Sequence, residues 1–123
     1  MGASEPGQVI ELFAKYWNSQ DFEGLRSLYE DEAVYVQGPG MPNLEGAGPI
    51  VEGLRAFAGG TMTILSSASV VRGDIALTHN RWSLQYPGGS DPMQGETAEV
   101  VRRQPDGQWR YAIDNPSGGA VIP

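Results

Sequence analysis

Residues 95–116, GETAEVVRRQPDGQWRYAIDNP, constrain the fold more than any other stretch, because they read as two long strands joined by a tight turn. Pro105-Asp106-Gly107 offers a proline for the first corner and a glycine for positive φ, and the runs 96–101 and 108–114 are rich in β-branched and aromatic residues. Glu99 and Asp114 fall in mid-strand. A charge there is costly unless it is paired, hydrogen-bonded or faces a wet cavity. Whether the two meet depends on the turn. A four-residue loop, Pro105 to Gln108, sets Glu99 opposite Asp114, whereas a three-residue loop sets Ile113 opposite Glu99.

Upstream, Val9, Leu12, Phe13, Tyr16 and Trp17 recur at helical spacing, predicting a helix from Ser4, its cap, to about Ser19. Asp21 is a good N-cap for a shorter helix with Phe22, Leu25, Leu28 and Tyr29 on one side, before an acidic run, Glu30-Asp31-Glu32, expected to be solvated. A short strand over 33–37 and a glycine-rich loop lead to a third helix carrying Ile50, Val51, Leu54 and Phe57, with Gly59-Gly60 past its end. From Thr61 onward the pattern is β: strands over 62–71 and 75–86, then the hairpin, then a loose tail at 117–120. Helices followed by antiparallel strands predict one α+β domain over 1–123, with three N-terminal helices packed in the concavity of a strongly curved, mainly antiparallel sheet.

Alternation along 75–86 sets Asn80, Trp82, Leu84 and Tyr86 on one face, assigned to the core, and His79 and Arg81 on the other. Ile75 and Leu77 lie in the opposite phase to Ala76 and Leu84, so both faces of the sheet are apolar and a homodimer through the outer face is expected.

Several function classes are disfavoured. The chain has no cysteine and a lone histidine, His79, with no His-x-x-x-His spacing, so no metal site is expected. Fifteen acidic against eight basic residues give a net charge of -7, which repels nucleic acid and anionic membranes. Neither a dinucleotide glycine fingerprint, a phosphate loop nor a Gly-x-Ser-x-Gly elbow occurs, and no cofactor is expected. Residues 1–6 lack the start of a signal peptide and no apolar run approaches membrane-spanning length, which points to the cytoplasm.

The order of elements, Tyr16-Trp17 on the first helix, Asp21, the 29–34 passage YEDEAV, Gly46 before the third helix and the closing 106–110 DGQWR together resemble the nuclear transport factor 2-like superfamily. Within it, the chain is most similar to the ketosteroid isomerase-like and polyketide-cyclase-like (SnoaL-like) branch. The resemblance implies a cone-shaped pocket for a small apolar molecule, lined by Trp17, Gln37, Phe57, Asn80, Trp82 and Val101. Tyr16 matches the helical tyrosine that donates to the substrate oxygen in ketosteroid isomerases, and Glu99 matches their protonated acid. Gln37 stands where those enzymes keep an aspartate base, and it has no useful basicity. Asp114 is the replacement, which favours the register setting it opposite Glu99. The function implied is cofactor-independent acid–base chemistry on an apolar carbonyl compound. Its rivals are a non-catalytic ligand-binding or association domain and a hydrolase in which a carboxylate activates water.

Overall fold

In the computed structural model, which describes residues 2–118, the hairpin's two strands sit in the middle of a sheet. The elements are α1 (Gln8–Asn18), α2 (Phe22–Ser27), β1 (Tyr29–Tyr35), β2 (Leu44–Glu45), α3 (Ala47–Arg55), β3 (Thr61–Arg72), β4 (Ile75–Gln85), β5 (Met93–Glu96), β6 (Glu99–Arg103) and β7 (Trp109–Asp114). Strand order is β2-β1-β7-β6-β4-β3, with β5 also paired to β4. Among the described residues only the β1–β7 pairing is parallel. The fold is α+β, with an open, mostly antiparallel sheet covered on one face by the helices. Val9, Ile10, Phe13 and Trp17 of α1, Leu25 of α2 and Ile50, Val51 and Leu54 of α3 are buried in one cluster with Ala76, Leu84, Val101, Trp109 and Tyr111 of the sheet. Each of the valine, leucine, isoleucine and phenylalanine side chains contributes roughly 1.5–3 kcal/mol relative to exposure. Among the described residues no helix is long and apolar enough to cross a membrane.

Several boundaries differ from expectation. Helix α1 starts at Gln8, not at Ser4: Ala3 is held on the sheet by a bond from the Trp109 N–H, and Ser4 donates to the Gln8 side chain instead of capping. Asp21 caps α2 as expected, accepting from the Gly24 N–H at 2.9 Å. Strand β1 begins at Tyr29, so the acidic run lies within it; Glu30 is drawn from solvent by Arg102, 2.8 Å away across β7. Leu12 is only partly buried. Gly119 and Ala120 of the expected tail lie outside the described residues.

The hairpin register combines both alternatives. Next to the turn, Arg103 pairs with Trp109 and Val101 with Tyr111, the three-residue-loop arrangement. A β-bulge at Ala112 then shifts the pairing, so that Val100 meets Ile113. Strict alternation from Trp109 and Tyr111 would have sent Ile113 inward. With the extra residue, Asp114 is 3% exposed and Ile113 is 42% exposed. The neighbouring strand is interrupted at Thr97-Ala98, between β5 and β6. There the Thr97 hydroxyl, rather than its carbonyl, accepts the Asn80 N–H at 2.9 Å, and Thr97 and Glu99 stay on the inner face.

Candidate active site

A cavity of about 230 Å³ lies between α1, α3 and the inner face of the sheet. Ile10, Phe13, Trp17, Leu54, Met62 and Leu84 make its apolar walls, and Tyr35, Thr97, Glu99, Tyr111 and Asp114 its polar end. Its shape is fixed by polar tethers. The Trp17 indole N–H donates to the Gly60 carbonyl at 3.1 Å, the Trp82 indole to the Pro116 carbonyl at 2.7 Å, and the Tyr86 hydroxyl to the Phe57 carbonyl. Trp82 can lie across β5 because its cross-strand partner is Gly95, where an added Cβ would come within 2.5 Å of the ring.

Glu99 and Asp114 are 2% and 3% exposed and adjoin one another. Glu99 Oε1 accepts two hydrogen bonds from β4, from the Thr78 hydroxyl at 2.9 Å and the Asn80 amide at 2.7 Å. Asp114 Oδ2 accepts the Tyr29 hydroxyl at 2.5 Å. Burial pushes Glu99 well above the usual carboxylate range, the neighbouring Asp114 charge pushes it further, and the Thr78 hydroxyl pulls it back only in part. Burial also raises Asp114, to about 6, against the bonds from Tyr29 and Glu99 that favour its ionised form. Near neutral pH the pair therefore shares one proton, held by Glu99, and one charge, held by Asp114. Around it stand three tyrosines, Tyr29, Tyr35 and Tyr111, all pushed above the usual phenol range, first by burial and then by the acids. The Tyr111 hydroxyl is buried beside Glu99 and forms no well-aligned hydrogen bond among the described residues.

Of the residues singled out in the sequence, Trp17, Gln37, Phe57, Trp82, Glu99 and Asp114 line the cavity. Asn80 stands behind Glu99 as its hydrogen-bond donor, and Val101 is buried in the core on the same face of β6. Tyr16 is a correction: it is not among the lining residues. Its ring packs over Gly24 of α2, where an added Cβ would come within 2.6 Å of it, while Trp17 turns toward the cavity. The Gln37 amide is tied to the Pro42 carbonyl at 2.8 Å. His79 points away from the core, its Nδ1 2.7 Å from the Thr97 carbonyl. Tyr29, Tyr35, Thr78, Thr97 and Tyr111 were not singled out. Thr78-x-Asn80 and Thr97-x-Glu99, polar pairs at strand spacing on an inner face, were the available signal.

A SnoaL-like domain model matches residues 9–112. The chain belongs to the SnoaL-like family. Members of the wider NTF2-like group share its fold. An NTF2-like protein with a cystatin-like fold from Novosphingobium aromaticivorans is 19% identical, with 90% of this chain and 77% of that one covered, at a TM-score of 0.77. An NTF2-like protein of unknown function from Pseudomonas putida KT2440 is 22% identical over 89% of this chain and 81% of its own, at 0.75. A candidate ketosteroid isomerase from Parabacteroides distasonis is 17% identical over 92% and 87%, at 0.73. No curated protein matches this SnoaL-like chain by sequence.

Proposed function

We propose that this SnoaL-like protein is a cofactor-independent enzyme that moves a proton on a small apolar carbonyl compound. The observation that carries the reading is the buried Glu99–Asp114 pair opening onto an apolar cavity beside the buried Tyr111 hydroxyl. Ionised Asp114 takes a proton from the carbon next to the carbonyl. The electrons of that C–H bond move to the oxygen, which accepts from Tyr111, and the proton is returned at carbon. Tyr111 fills the donor role first given to Tyr16. The likeness to a candidate ketosteroid isomerase agrees with this chemistry at the level of fold.

The test is deuterium uptake from D₂O at the α-carbon of small cyclic ketones, followed by NMR. Uptake above the buffer rate, lost in Asp114→Asn and retained in Tyr16→Phe, supports the reading. Uptake equal to buffer for every ketone favours non-catalytic ligand binding, the alternative that Gln37 at the usual base position supports.

A further inference from the structure

The polar end of the cavity is made almost entirely of oxygen atoms. Tyr35 and Tyr111 present hydroxyls, Thr97 its side-chain oxygen, and Glu99 and Asp114 carboxyl groups. No lysine, arginine or histidine is among the described lining residues. The elements packed against the pair add no cation: β1 brings Tyr29 and Tyr35, β4 brings Thr78 and Asn80, and α1 and α3 bring only apolar side chains. The apolar part carries the rings of Phe13, Trp17, Phe57 and Trp82. Aromatic faces attract cations, and more strongly where water is excluded. A separate observation points to a missing group. The hydroxyl of Tyr111, a residue 1% exposed, lies beside Glu99 at this end of the cavity and forms no well-aligned hydrogen bond among the described residues.

We infer that the cavity binds small apolar amines in their ammonium form, with the nitrogen seated among Glu99, Asp114 and Tyr111. An ammonium group supplies several N–H donors to a cluster of acceptors, and it brings the positive charge that the carboxyl pair lacks. An aliphatic amine is protonated at neutral pH, as the lysine side chain is with its pKa of ~10.4. On binding, the ammonium takes over the place of the shared proton. Both carboxyl groups are then ionised, the amine keeps its own proton, and up to one proton leaves for solvent. This goes beyond the enzymatic reading and does not rest on turnover. A seated amine would compete with a carbonyl substrate.

The experiment is calorimetric titration of the protein with benzylamine, benzyl alcohol and benzoate, at pH 5 and 7.5, in buffers of different ionisation enthalpy. At pH 7.5 benzylamine is expected to bind at least tenfold more tightly than benzyl alcohol, with benzoate weakest. Benzylamine binding should release protons, and the preference should shrink at pH 5. In Asp114→Asn the ratio of amine to alcohol affinity should fall towards one. Equal binding of amine and alcohol would overturn the proposal. So would an amine preference that persists in Asp114→Asn or proceeds without proton release, because attraction to the net charge of -7 would explain it. Deuterium uptake by ketones is read independently, so failure here leaves the enzymatic reading standing, and the reverse also holds.

Discussion

Replacing Asp114 by asparagine tests the state of the buried pair through folding stability. Burial raises Asp114 to about 6 from an ordinary 3.8, so protonation favours the folded state. This group's contribution is fully present below pH ~4, the unfolded value, and is lost as pH rises through ~6. At about 1.4 kcal/mol per pH unit, the whole window is worth about 3 kcal/mol. About 1.4 kcal/mol of that falls between pH 5 and 7.5, a range clear of the isoelectric point near 4.5. Asparagine has no charge to bury and keeps an oxygen for the Tyr29 hydroxyl, so the variant should gain stability relative to wild type as pH rises. Urea unfolding of both proteins at pH 5 and 7.5 is the assay. The expected result is a wild-type-minus-variant difference that shifts by about 1–2 kcal/mol against the wild type on going to pH 7.5. A difference that is constant with pH, or shifts in the wild type's favour, would refute the assignment of Asp114 as a buried acid with a raised pKa.

Tyr29→Phe removes a donor to the Asp114 carboxylate while keeping the ring against Tyr111, 5.0 Å between centroids, so the titration of Asp114 should move above pH 6 by carboxyl NMR; a downward move would count against the bond. Leu54→Ala should cost roughly 2–3 kcal/mol in urea unfolding, the low part of the usual range, because this buried residue already borders a cavity. Val70, Leu77, Val100, Ile113 and Val34 pair in turn across β3, β4, β6, β7 and β1, forming an aliphatic row on the outer face that we propose seats a second copy. Sedimentation should give a dimer for the wild type and a 13.2 kDa monomer for Leu77→Glu; a wild-type monomer at high micromolar concentration would remove the idea.

The α+β class, the hairpin and the inward face of β4 were legible because alternation and turn residues are local signals, and Ala76, Thr78, Asn80 and Leu84 are indeed the buried residues of that strand. Tyr29 was not, since its spacing from Leu25 is as good for a helix as for the end of one. Its place is decided by a parallel pairing with Tyr111, a residue remote in sequence. Tyr16 and Trp17 differ by one helical step of about 100°, and periodicity could not say which met the cavity. Contact with Gly24 of α2 turns Tyr16 away. What the hairpin left open was its register: both candidates hold, each on its own side of Ala112.

That bulge lets β7 carry one more residue than regular pairing needs without changing which way its last side chains face. Because Ala112 is the extra residue, deleting it would leave strict alternation from Tyr111, with Ile113 still outward and Asp114 still inward. The inward carboxylate is thus insensitive to loss of the bulge. A deletion variant should keep both its far-ultraviolet circular dichroism and a buried carboxyl titrating near pH 6; loss of that titration would count against Ala112 as the extra residue.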